Sequence, residues 1–103
     1  MANLGISDEA MRKITDVIAS FTFVIRAVIF GSRAKGNYKK YSDVDICLFG
    51  EIDAFQAERV RGSLNELNVI YEFDVVAYNN IKTTALREHI DRVGIEIFTR
   101  ERD

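Results

Sequence analysis

Phe30-Gly31-Ser32-Arg33-Ala34-Lys35-Gly36-Asn37-Tyr38-Lys39-Lys40-Tyr41-Ser42-Asp43-Val44-Asp45-Ile46-Cys47-Leu48 is the stretch on which the reading of this chain turns. It opens with a Gly-Ser pair at the end of one apolar run and closes with two carboxylates at the start of another. Between them stand Arg33, Lys35, Lys39 and Lys40 and no acidic residue. Alternate residues of a strand point the same way, about 6.5–7 Å apart, so Asp43 and Asp45 share a face. Two carboxylates that close repel each other unless a cation lies between them. Hard oxygen ligands suit Mg²⁺, which completes its shell with water and substrate phosphate. A Gly-Ser turn that follows a strand and opens a helical turn aims backbone amides at an anion. A cation site and an anion site then lie side by side, as a metal-bound polyphosphate requires.

Gly31-Ser32, ten intervening residues and then Asp43-Val44-Asp45 make an ordered set. This set resembles the signature of the DNA polymerase β superfamily of nucleotidyltransferases. In its short form the chain is similar to the minimal nucleotidyltransferases, the MntA-type antitoxins of bacterial and archaeal toxin–antitoxin pairs. That family needs a third carboxylate on a neighbouring strand. Asp74, inside Tyr71-Glu72-Phe73-Asp74-Val75-Val76-Ala77-Tyr78, stands where it is expected. The likeness runs from the first helix to the last strand-like segment.

The resemblance implies a polymerase β-like nucleotidyltransferase fold and a reaction assisted by two Mg²⁺ ions. Asp43 and Asp45 would bridge both ions, and Asp74 would hold the one that activates the acceptor. Gly31, Ser32, Arg33 and Ser42 form the expected nucleotide-binding set. The family also implies ATP or another nucleoside triphosphate as donor, with AMP passing to a tyrosine hydroxyl of an all-helical HEPN/HepT-type toxin. The rival from another class is a non-catalytic antitoxin or regulator that binds nucleotide or partner alone. Transfer to a small molecule such as an aminoglycoside is a second enzymatic reading, weakened by the lack of a helical acceptor domain.

The 103 residues are enough for one domain, spanning 1–103. A hydrophobic content of 48% suits a globular fold. The net charge of −2 leaves no polybasic footprint for nucleic acid, so the basic loop is a local feature. A single cysteine excludes an internal disulfide and fits a reducing compartment. With no membrane-length apolar run and no signal-peptide pattern, the expected location is cytoplasmic.

Along the chain, Ser7 is placed to cap a helix whose stripe is Ala10, Met11, Ile14, Val17, Ile18 and Phe21. Val24 to Phe30 reads as a strand, followed by a short helical turn from Ser32 that Gly36 ends. Val44 to Phe49 is the second strand. Asp53 caps a second long helix to about Leu67, with Phe55, Val60, Leu64 and Leu67 on its packed side. Val69 to Tyr78 is the third strand, and Asn79-Asn80 a turn. Thr83 opens a helix to Val93, with Gly94 as its left-handed cap, and Ile95 to Thr99 is an edge strand before a fraying tail.

The expected class is α/β (α+β), a single small mixed sheet with helices on one face. The strand phase puts Asp43, Asp45 and Asp74 on the other face with Val28, Phe30, Cys47, Phe49, Val76 and Tyr78. Such a face needs a partner or a second copy to cover it, or remains an apolar floor.

Individual residues admit plainer readings. Arg33 either pairs with phosphates or pins Asp45 or a helix end. Tyr38 and Tyr41 either stack a base or pack the loop. Lys35, Lys39 and Lys40 read as a solvated rim, and Cys47 as a small core residue. Gly31 to Gly36 has P-loop glycine spacing, but Asn37-Tyr38 replaces the Lys-Ser/Thr that motif needs.

Overall fold

A computed structural model describes residues 3–101. The first helix, α1 (Asp8–Ser20), starts where Ser7 accepts a hydrogen bond from the Ala10 amide at 3.1 Å. Asp8 and Glu9 in its first turn suit the positive end of the helix dipole. The helix α3 (Ala54–Asn65) begins with a reciprocal cap: Asp53 accepts from the Gln56 amide, and Gln56 accepts from the Asp53 amide. Its buried row is Ala57, Val60 and Leu64. Phe55, expected on that side, is 75% exposed. It lies five positions before Val60, off the i, i+3, i+7 row that Ala57 occupies.

Four strands form one mixed sheet in the order β3-β2-β1-β4: β1 (Arg26–Phe30), β2 (Val44–Phe49), β3 (Phe73–Ala77) and β4 (Ile95–Thr99). β1 is antiparallel to β2 and β4, whereas β2 and β3 are parallel, with α3 as the crossover. β3 is shorter than its sequence pattern suggests. The Asn65 side chain accepts from the Phe73 amide and donates to the Phe73 carbonyl, which ties the end of α3 to the start of the strand. The residues between are held as a loop.

Ala27, Ile29, Val44, Ile46, Leu48, Phe73, Val75 and Ala77 face α1 and α3 and form the main core. The opposite face departs from expectation. The last helix, α4 (Thr84–Val93), packs there, so helices lie on both sides of the sheet. Its Ile90, together with Ile81, buries Val28 and Cys47, and Phe30, Phe49, Val76, Tyr78 and Leu86 pack around them. The apolar part of that face is thus covered from within the chain. Leu86 and Ile90 form an apolar stripe of their own, and the sheet's second face is where it can be buried.

Three ends also differ. Thr83 stands at the N-cap of α4 without a side-chain bond. Gly94 has φ −58, so it is not a left-handed cap. A side chain there would instead meet the Ile90 carbonyl at 2.5 Å and Val28 at 3.2 Å. Arg100, read as part of a fraying tail, donates to the carbonyls of Val24, Ala19 and Phe21. Residues 102 and 103 of that tail lie outside the described residues. No described helix is long and apolar enough to cross a membrane.

Candidate active site

Strand register brings the site together. β1 and β2 pair Phe30 with Asp45, and β2 and β3 pair Asp45 with Asp74. Phe30, Asp45 and Asp74 therefore form one row across three strands, with neighbouring backbones about 4.8 Å apart. Asp43 stands just before β2, whose first amide, that of Val44, donates to the Glu72 carbonyl at 2.9 Å. Asp43 and Asp74 are exposed and Asp45 is half-buried. Burial raises the Asp45 carboxyl above its ordinary value, and Asp74 and Asp43 raise it further, while His89 opposes them. The carboxylates are close enough to penalise one another's charge.

The Gly-Ser turn abuts this row. Gly31 has φ +73, and a side chain on it would run into the Asp45 carboxylate. Only glycine suits both the backbone conformation and the contact. The short helix α2 (Gly31–Lys35) starts at that point, and Gly36, at φ 87, closes it. Ser32 is half-buried beside the row; Lys35 is exposed at the end of α2, and Lys39 and Lys40 are exposed on the following loop.

Two members of the expected nucleotide set have other engagements. Arg33 is 1% exposed. Its guanidinium donates to the carbonyls of Leu4 (2.9 Å), Gly5 (3.3 Å) and Ser42 (3.2 and 2.8 Å). It also lies against the rings of Tyr38 and Tyr71, at 5.0 and 5.1 Å. Its donors are turned inward to carbonyls, and it pins backbone. Ser42 is held within the loop: its hydroxyl accepts from the Lys39 amide at 2.8 Å, and its carbonyl receives Arg33. Tyr38 packs the loop, whereas Tyr41 is 81% exposed. Tyr41, Asp43, Ile70, Tyr71 and Glu72 help to line a cleft of about 300 Å³ beside the carboxylates.

Two nearby residues had gone unassigned. Glu72, two residues before Asp74 and just outside β3, lines the same cleft. His89 of α4 sets its ring edge-on to Phe30, with centroids 6.2 Å apart. Nothing in the sequence pattern signals it, because its place depends on which face α4 covers.

Among the described residues, no three His, Cys, Asp or Glu side chains converge into a ready-made metal cage. The donor chemistry nonetheless fits Mg²⁺, which is commonly held by one or two carboxylates together with water and substrate phosphates. Asp43, Asp45 and Asp74 offer such oxygens next to the Gly31–Ser32 turn.

Comparison with known proteins bears on the same elements. Over 103 residues the chain is 26% identical to a Haemophilus influenzae protein named "Probable protein adenylyltransferase MntA", covering 98% of this chain and 90% of that one. A crystal structure of a toxin–antitoxin with AMP-PNP superposes with a TM-score of 0.74 at 18% identity, over 88% of this chain and 74% of that one. A tri-AMPylated Shewanella oneidensis HEPN toxin in complex with its MNT antitoxin gives a TM-score of 0.68 at 16% identity, covering 89% and 71%. At such identities the structures speak for the fold. Residues 12–103, from within α1 to the C-terminus, match the family described as Polymerase beta, Nucleotidyltransferase. The chain belongs to that family and is a nucleotidyltransferase.

Proposed function

We propose that this protein is an antitoxin that transfers AMP from MgATP to a tyrosine hydroxyl of a helical HEPN/HepT-type toxin. The observation that carries the reading is the Phe30–Asp45–Asp74 row with Gly31 packed against Asp45. It sets an anion-accepting turn on the β1 side of the carboxylates and leaves the β3 side for an acceptor. The names of the Haemophilus and Shewanella relatives support the same chemistry.

In this reading Gly31 and Ser32 hold the β- and γ-phosphates, and Asp43 and Asp45 hold the metal-bound nucleotide. Two Mg²⁺ ions, when bound, would neutralise charge on the transferring phosphate and acidify the acceptor hydroxyl. Asp74 would help to hold the ion that activates that hydroxyl and would accept its proton. A tyrosine hydroxyl has an ordinary pKa of about 10, so it needs such activation near neutral pH. The new bond joins the acceptor oxygen to the α-phosphorus, the bond to the β-phosphate oxygen breaks, and pyrophosphate leaves.

The test is co-expression with the product of the neighbouring gene, followed by intact mass spectrometry of that product. One or more added AMP groups are expected, only when Asp43, Asp45 and Asp74 are all present. A partner that is neutralised without modification, and equally well by the triple Asp→Asn protein, would make the chain a binding module.

A further inference from the structure

The clasp around Arg33 does more than fill space. Arg33 has no carboxylate partner among the described ion pairs. A buried cation without a counter-charge is costly, and here hydrogen bonds to three carbonyls offset the lost hydration. Those carbonyls come from separate parts of the chain: Leu4 and Gly5 before α1, and Ser42 at the end of the basic loop. The same cluster is closed by Tyr71, whose hydroxyl donates to the Gly5 carbonyl at 3.1 Å. It is also closed by Gly5 itself, at φ +70, where a side chain would strike the Tyr38 ring. Within the loop, the Lys39 amide donates to the Ser42 hydroxyl and the Ser42 amide donates to the Lys39 carbonyl. Arg33 grips the far end of that tight turn, at the carbonyl directly preceding Asp43.

We propose that Arg33 is a positioning residue for Asp43, acting through the backbone of the Lys39–Ser42 turn and without touching the nucleotide. The proposal rests on the metal-dependent reading of the site given above. Two flat bonds from the guanidinium fork to one carbonyl fix both the position and the direction of the chain entering β2. On its other side Asp43 is tied only through the next peptide, whose Val44 amide donates to the Glu72 carbonyl at 2.9 Å, and its carboxylate has no described hydrogen bond. The pre-α1 segment is then part of the site's scaffold, because it supplies the opposite wall of the clasp.

Electrostatics and positioning predict opposite signs for one variant. Arg33→Met removes a cation bound to the carbonyl one residue before Asp43, which by charge alone should tighten binding of a divalent ion. Loss of positioning should weaken it. The probe is Mn²⁺, titrated by electron paramagnetic resonance with α,β-methylene ATP, alongside the thermal unfolding midpoint of each protein. Arg33→Met is expected to weaken Mn²⁺ binding by about 10-fold or more, as for other residues that orient a metal ligand. Arg33→Lys keeps the charge but not the fork and should not restore binding. Tyr71→Phe, which keeps the ring and drops only the bond to Gly5, should weaken it about threefold. If Arg33→Met does not fold, Arg33→Lys and Tyr71→Phe carry the test. Unchanged or tighter Mn²⁺ binding in a folded Arg33→Met protein, or wild-type affinity in Arg33→Lys, overturns the proposal. A wild-type protein that binds no Mn²⁺ with the analogue overturns the metal-site reading and this proposal with it.

Discussion

Asp45 and Ile46 are neighbours on β2 and answer to opposite demands. Ile46 is fully buried under α1 and α3 in the main apolar core. Asp45 points to the other face, where the sheet is divided. The row of Val28, Cys47 and Val76 is sealed by α4; in the next row Phe30 still packs against that seal, and Asp45 and Asp74 lie beyond it. One face supplies cohesion. The other carries repelling charge within one residue spacing of apolar packing. The contrast shows how so short a chain can hold a reactive site: the cost of crowding carboxylates is confined to one strand end.

The largest effect expected from breaking this contrast is on chemistry. Asp45→Asn should lower AMP transfer on the order of 10²–10³-fold or more, the scale for removing one preorganised charge-stabilising group. The measurement is pyrophosphate release in the presence of the partner. Near wild-type turnover would exclude Asp45 from the metal site. Ile46→Ala, one residue away, should leave the site's chemistry in the folded fraction but cost about 2–5 kcal/mol of stability, read from urea unfolding. If both variants lose activity and stability alike, the two faces are not separable.

A smaller effect sharpens the comparison by its sign. Because burial and then Asp74 and Asp43 raise the Asp45 carboxyl, its ionised form opposes folding in the metal-free protein. Its contribution favours the fold below the ordinary value of 3.8 and is lost as pH rises through the elevated folded-state value. At neutral pH, metal-free Asp45→Asn should therefore be more stable than wild type, within the usual ~0.5–2 kcal/mol gained by relieving a functional site. The difference should shrink as pH falls toward 3.8. A less stable Asp45→Asn protein at pH 7 would mean that Asp45 holds the fold together.

What the sequence made legible follows the same division. Ser7 and Asp53 cap as their local patterns predict, and β2 and β4 begin and end at the expected residues, because caps and alternation are short-range signals. The shared face of Asp45 and Asp74 follows from strand phase alone. The side taken by α4 was not legible: two apolar faces compete for a helix stripe, and only tertiary packing chooses. Arg33 was hidden for a related reason. Its long side chain reaches back 29 residues to Leu4, and no local pattern encodes that distance. His89 became visible only once α4 was placed.

The smallest expected signal tests the seal itself. Cys47 shares the carboxylates' face but lies one row inside, fully buried beneath Ile90. Burial pushes its thiol up to about 12, against a pull from Arg26 and a further push from Asp91. The thiolate is the reactive form, so the folded protein should hold almost none of it at pH 8. A disulfide reagent such as 5,5′-dithiobis(2-nitrobenzoate) should therefore label the native protein barely at all, and one thiol per chain after denaturation. Slow native labelling requires the cover that Ile90 of α4 and Ile81 place over Cys47 to open. Its rate should then rise on Ile90→Ala and stay unchanged on Asp45→Asn. Rapid labelling of the wild-type protein would show that α4 leaves this face readily, and the sealed and open rows would be one mobile surface.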